Sequence, residues 1–252
     1  MGGSSLLGEH ALPLLAQTGL PTNAFTRSLP TVSCPGVTWR NADDWHGLTL
    51  DTFLSFAPVW VLPDYLERLA STHVKRVVVL SSTSRFAKQT SPDARERDVA
   101  QRLIRAEEQL EQWAIERQVE WVILRPTMIY GFGRDKNISQ IARFIQRFGF
   151  FPLIGGGTGL RQPVHAGDVI QACLSAMSTP GLPSGGYNLS GGGSLAVSHD
   201  GEANIPGHGA SGANAAPPCP GIKPGRFDHA VSAALSTSFK CAGGADERGL
   251  GV

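Results

Sequence analysis

The stretch with the clearest chemical potential opens the chain, where Gly2-Gly3-Ser4-Ser5-Leu6-Leu7-Gly8 runs into a helix-like segment from Glu9 to Gln17. A glycine-rich turn at a helix start lets main-chain N–H groups and the positive end of the helix dipole meet a pyrophosphate, and small residues allow the close approach. In a chain with 30 glycines the spacing alone says little. Its context adds weight, because a short strand follows and ends Ala24-Phe25-Thr26-Arg27-Ser28. A basic residue there can meet an adenosine 2′-phosphate, where an acidic one would accept from the ribose hydroxyl. Arg27 therefore leans the expected cofactor toward NADP over NAD, with a solvated surface arginine as the plain alternative. No metal is expected. His165 has no second ligand at a suitable spacing, and Cys34, Cys173, Cys219 and Cys241 stand too far apart for a zinc knuckle or a disulfide framework. Such cysteine usage fits a reducing compartment.

The elements that must hold these residues alternate between strand and helix. Val77-Val78-Val79-Leu80 and Trp121-Val122-Ile123-Leu124 are continuous apolar runs of the kind buried on both faces of a parallel sheet. Between them Val99, Leu103, Ala106, Leu110 and Trp113 recur at helical steps, so the stretch Arg95 to Arg117 reads as an amphipathic helix whose charged residues form a solvated face. Strand, helix, strand implies a right-handed parallel crossover. Upstream, Asn23 to Thr26, Val37 to Trp39 and Thr52 to Phe56 are weaker strands, and Leu62 to Leu69 is a short helix. Downstream, Ile138, Ile141, Ala142, Ile145 and Phe148 mark a further helical face, before Phe150 to Leu153 and the run Gly155 to Gly157. The pattern is that of an α/β, doubly wound, Rossmann-like parallel sheet.

At 252 residues, 41% of them hydrophobic and 17% charged, the chain can bury a sizeable core. A formal charge of +1 removes the global field that would draw it to nucleic acid or an anionic membrane. Its longest apolar stretch, Phe53 to Leu62, is broken by Pro58, falls short of the roughly 20 residues of a bilayer span and has no cationic head before it. A soluble cytoplasmic protein is expected. After about Gly191 the periodicity stops and Gly, Ala, Pro and Ser dominate. The expected organisation is thus a folded unit over 1–193 and a low-complexity tail over 194–252, disordered or frame-shifted.

Five blocks then appear together: Gly2-x-x-Ser5-x-x-Gly8; Val79-Leu80-Ser81-Ser82-Thr83; Ile123 to Gly133 around Arg125-Pro126-Thr127 and Tyr130-Gly131; Arg161 to Val169; and Tyr187-Asn188-Leu189. In order and spacing they resemble the extended short-chain dehydrogenase/reductases, in the NAD-dependent epimerase/dehydratase branch, over roughly residues 1–193. The resemblance implies a Rossmann sheet that binds NAD(P) and a small substrate lobe for a nucleotide sugar or related carbonyl or hydroxyl compound. Carried over, Gly2, Ser5 and Gly8 line the pyrophosphate, Arg27 the adenosine end, and Asp43 or Asp44 the adenine. Ala57 and Pro58 contact the ribose and pyrophosphate, and Pro126 to Ile129 pass beside the nicotinamide. Thr83 matches the hydroxyl that orients the reacting carbonyl, and Arg161 an arginine that holds a substrate phosphate.

The chain departs from the family in three places. A buried strand should precede the first glycine, and here only Met1 does. The tail lacks the helix that should follow Gly192. Finally, the family's Tyr-x-x-x-Lys pair, in which the ammonium lowers the phenol's pKa, is absent: Tyr65, Tyr130 and Tyr187 have no lysine four residues on, and the natural alignment offers Gln101 and Arg105. Lys88 and Tyr130 remain as proton donors to accompany Thr83. The expected function is an NAD(P)-dependent epimerase/dehydratase or oxidoreductase, with a homodimer left open. Its alternatives are a non-catalytic dinucleotide sensor or assembly protein and a truncated product of little activity.

Overall fold

The computed structural model describes residues 1–29, 34–133, 147, 160–191 and 195–196. In chain order the elements are α1 (Leu6–Gln17), β1 (Thr22–Thr26), β2 (Val37–Asn41), β3 (Thr52–Ser55), a 3-10 helix (Val59–Tyr65), α2 (Leu66–Ala70), β4 (Arg76–Leu80), α3 (Ser84–Ala87), α4 (Ala94–Arg117), β5 (Glu120–Pro126), β6 (Ile129–Tyr130), β7 (Leu160–Arg161), β8 (Val164–His165), α5 (Ala166–Ser178), β9 (Gly185–Leu189) and β10 (Leu195–Ala196). The expected helical face from Ile138 to Phe148, the run from Phe150 to Gly157 and the tail beyond residue 196 lie outside the described residues.

The main sheet has the order β3-β4-β5-β9 with every pair parallel. Its two central strands are apolar on consecutive residues because both faces are covered. Val77, Val79, Trp121 and Ile123 turn to a core shared with Leu103, Leu110 and Trp113 of α4. Val78, Leu80, Val122 and Leu124 turn to the opposite core, with Leu7 and Ala11 of α1 and Val169, Ile170 and Cys173 of α5. Arg76, the first residue of β4, is 8% exposed. It pairs with Glu120 (Nε to Oε2, 2.6 Å) and donates to the carbonyls of Ala176, Met177 and Thr179 at 3.1, 3.3 and 2.7 Å. A guanidinium there satisfies the end of α5 and meets the negative end of its dipole.

β1 and β2 pair in parallel as a separate two-stranded sheet. The division falls where the family resemblance places an opening strand. The first three residues connect the two sheets. The Met1 amine donates to Leu54 O (2.6 Å) and Phe56 N–H donates to Met1 O (3.0 Å), the two bonds of a parallel bridge opposite Ser55. Gly3 N–H donates to Phe25 O (3.1 Å). Cys173 is free and buried. Among the described residues no helix is long and apolar enough to cross a membrane.

Burial pushes the Met1 amine down to about 5 from its ordinary value of 8.0. Between those values the unfolded chain binds a proton that the folded chain does not, so stability rises with pH across this window and falls on acidification. For a chain starting at Met1, thermal melts should show stability increasing between pH 5 and pH 8 by on the order of 4 kcal/mol. Converting the amine to a peptide bond with a short Val/Ile extension should remove this step and raise Tm, because the extension continues the ladder on β3.

Candidate functional site

All strands of the main sheet end on one edge, and the turn of residues 2–8 sits there through its bridge to Ser55. Ser5 caps α1: its Oγ accepts from Gly8 N–H (3.1 Å), while its own N–H donates to Gly2 O (2.9 Å). Leu6 and Leu7 N–H are then the first-turn donors without an intrahelical acceptor. Two glycines are sterically required. Gly2 has φ +76° and a Cβ there would lie 2.8 Å from Ala57 N; one on Gly8 would lie 2.2 Å from Gly2 O. The same contact brings Ala57, and with it Pro58 at the start of the 3-10 helix, beside the turn. Small residues, a capped helix and its free N–H groups fit a pyrophosphate.

At the end that the resemblance gives to adenosine, Arg27 follows β1 and is exposed. Asp43 and Asp44 follow β2, but both carboxylates are engaged, Asp43 with Arg68 (2.6 Å) and Asp44 with Arg40 (3.2 Å).

Toward the other end, Thr83 and Pro126 come together: Thr83 N–H and Oγ1–H both donate to Pro126 O, at 3.1 and 3.3 Å. Lys88 and Tyr130 do not join them by a hydrogen bond. Lys88 Nζ pairs with Glu96 (2.9 Å), whose carboxyl is held below its usual range by hydrogen bonds from Ser91 and Lys88. Tyr130 packs edge-on against His165 (5.3 Å), and burial, with the Asp168 carboxylate second, pushes its phenol above its ordinary value. That direction is opposite to what a proton donor at neutral pH requires. Arg161 pairs through its main chain with Leu195; its side chain lies outside the described residues. Gln101 and Arg105 are exposed on α4.

Two further arrangements involve neighbouring residues. His165 caps α5, accepting from Gly167 N–H at Nδ1 (3.1 Å), and its ring packs on Phe132 (5.5 Å), which stacks in turn on His10 of α1 (3.6 Å). Gly131 lies so close that a Cβ would meet His165 Nε2 at 2.7 Å. The second is a buried ion cluster. Glu107, 2% exposed, contacts Ser81, Arg85 and Arg125, so the charged residues of α4 are not all on a solvated face. Its spacing carried a signal, since Glu107 stands four residues after Leu103 and three before Leu110, on the apolar stripe. Among the described residues no cluster of His, Cys, Asp or Glu could hold a metal.

A family model described as "NAD dependent epimerase/dehydratase family" matches residues 62–190, about half of the chain. The chain belongs to this family. It is 32% identical over 99 residues to the Arabidopsis thaliana protein "NADH dehydrogenase [ubiquinone] 1 alpha subcomplex subunit 9, mitochondrial", a match covering 39% of this chain and 24% of that one. The matched region thus spans about a quarter of that relative's length. Among solved structures, MoeE5 in complex with UDP-glucose and NAD is 23% identical with TM-score 0.61, covering 78% of this chain and 76% of that chain. UDP-glucuronic acid 4-epimerase from Bacillus cereus in complex with NAD is 13% identical with TM-score 0.64, covering 78% of each chain. At such identities the likeness is one of fold, a Rossmann-type α/β sheet.

Substituting Gly8 by Ala should disrupt the turn, because its Cβ has no space beside Gly2 O. The expected result is a loss of about 1–3 kcal/mol in stability, the usual cost of overpacking, together with loss of dinucleotide binding, measured by chemical melts and NADH fluorescence titration. A Gly8→Ala protein that binds NADH as before would rule out the turn as the pyrophosphate site.

Proposed function

We propose that this protein binds NAD(P) across the turn of residues 2–8 and takes a nucleotide sugar or a related carbonyl or hydroxyl compound beside Thr83. The observation that carries this reading is the Ser5-capped, Cβ-intolerant turn at the C-terminal edge of a parallel sheet in a chain of the epimerase/dehydratase family. Both solved structures above are complexes with NAD, and one also holds UDP-glucose. When bound, the dinucleotide supplies or accepts hydride. The chain's own contribution is to hold the pyrophosphate on the first turn of α1 and to offer the Thr83 hydroxyl to the reacting oxygen, once that hydroxyl turns from Pro126 O. Arg161 contributes a cation for a substrate phosphate, and Arg27 one for an adenosine 2′-phosphate, which favours NADP.

The proton transfer that normally accompanies hydride transfer has no well-placed donor among the described residues. Lys88 is engaged by Glu96, Tyr130 is pushed toward the neutral phenol, and an alcohol such as Thr83 does not release a proton readily. These observations favour a second reading, a dinucleotide-binding subunit without turnover. The Arabidopsis relative is by name a subunit of an NADH dehydrogenase.

Fluorescence titration tests the cofactor: NADPH should bind more tightly than NADH, and Arg27→Ala should remove the difference; equal affinities in the unmodified protein would overturn the role of Arg27. A hydride-transfer assay with nucleotide-sugar and simple carbonyl substrates separates the two readings. Because a placed general acid contributes about 10²–10⁴-fold in rate, turnover should be very slow or undetectable, with any residue of it lost in Thr83→Ala and reduced in Lys88→Met or Tyr130→Phe. Ordinary turnover surviving both of the latter changes would require a donor other than these.

A further inference from the structure

One buried carboxylate gathers four elements beside Thr83. Glu107 of α4 accepts from Ser81 Oγ just beyond β4, from Arg85 Nη1 in α3, and from Arg125 Nε and Nη2 of β5, the last two at 3.0 and 2.7 Å. Arg125 is itself seated on β9: a Cβ at Gly186 would fall 2.2 to 2.3 Å from its guanidinium. Phe86 covers the cluster, its ring 5.2 Å from the Arg85 guanidinium carbon and 5.5 Å from that of Arg125. Thr83 lies between Ser81 and Arg85 in the chain, and its hydrogen-bond acceptor, Pro126 O, belongs to the residue after Arg125. Both flanks of Thr83 and the support of its acceptor therefore converge on the same two carboxylate oxygens.

A buried ion cluster adds little net stability compared with apolar packing of similar volume, because desolvating the charges offsets most of their attraction. Its distinguishing property is direction: each guanidinium and hydroxyl has one satisfactory orientation around the carboxylate. Apolar contacts between α4 and the sheet would hold the elements together without setting the rotation of the Ser81 to Phe86 segment. We propose that Glu107 is a positioning residue, which acts through Ser81, Arg85 and Arg125 to hold Thr83 in one orientation at the strand edge. This deepens the proposed function and rests on Thr83 belonging to the ligand site.

Threonine labelled with ¹³C at its methyl group, incorporated into the full chain, tests the proposal without any ligand. Thr83→Ser identifies the Thr83 methyl line by its disappearance. Glu107→Gln, nearly isosteric but uncharged, should shift or split that line. Glu120→Gln breaks the ion pair with Arg76 at the opposite ends of the same strands and serves as the control. It should lower Tm but leave the Thr83 line in place. Gly186→Ala, which displaces the Arg125 guanidinium with all charges retained, should reproduce the effect of Glu107→Gln and carries the test if the latter does not fold. A folded Glu107→Gln or Gly186→Ala protein with an unmoved Thr83 line overturns the proposal. In a second step NADH is added. Movement of the Thr83 line in the unmodified protein, abolished by Glu107→Gln, supports both readings. A line that depends on Glu107 but does not respond to NADH retains the positioning of Thr83 and overturns its place in the dinucleotide site.

Discussion

Burial of β4 and β5 on both faces is the constraint from which most of the structure follows. Five consecutive buried residues in β4 and four in β5 leave no face for water, so each face needs its own cover of helices. Alternation of side chains along a strand assigns Val77 and Val79 to the α4 side and Val78 and Leu80 to the α1 and α5 side. The covering helices carry the chain from strand to strand as crossovers, and crossover connections go with parallel pairing. Parallel pairing brings all strand ends of one polarity to one edge. That edge collects the turn of residues 2–8, Thr83 and Pro126, residues far apart in the chain.

Charges inside this sheet are confined to its two ends. Arg76 and Glu120 close the N-terminal end, where the same guanidinium also satisfies the last carbonyls of α5. Glu107, Arg85 and Arg125 close the C-terminal end. Between them the ladder is apolar. The arrangement follows from the cost of burying an unpaired charge: at a strand end a charged group finds helix ends, loop hydroxyls and a partner of opposite sign, whereas in mid-sheet it would meet only side chains of the two cores.

The same physics separates binding from proton transfer at the edge. Main-chain N–H groups and space at the edge come from a local turn with a serine cap. Tuning a phenol to release a proton needs a cation close to it on a shared helical face. Here burial, with the Asp168 carboxylate second, favours the protonated form of Tyr130. Cys173, the free thiol in the described residues, is likewise removed from chemistry, pushed up to about 12 by burial in the core behind the sheet.

Local patterns in the sequence determined a good deal. Two uninterrupted apolar runs and the helical stripe between them specified β4, α4 and β5, because double-sided burial and a 3.6-residue period leave marks in consecutive residues. The turn of residues 2–8 was legible for a similar reason, since a helix start that admits no Cβ must be written in glycine and capped by a short polar side chain. The absence of any tyrosine with lysine four residues later was equally plain. Tertiary structure decided what depends on partners distant in the chain. Glu107 stands on the apolar stripe of α4, yet only the folding of β4, α3 and β5 around it brings Ser81, Arg85 and Arg125 to its carboxylate. Likewise, only packing ties Lys88 to Glu96, seats Tyr130 against His165 near Asp168, and joins two separate sheets through Met1 and Gly3. A side chain's type and spacing fix which bonds it can make; which of them it makes is settled by the groups that the other strands and helices bring within reach.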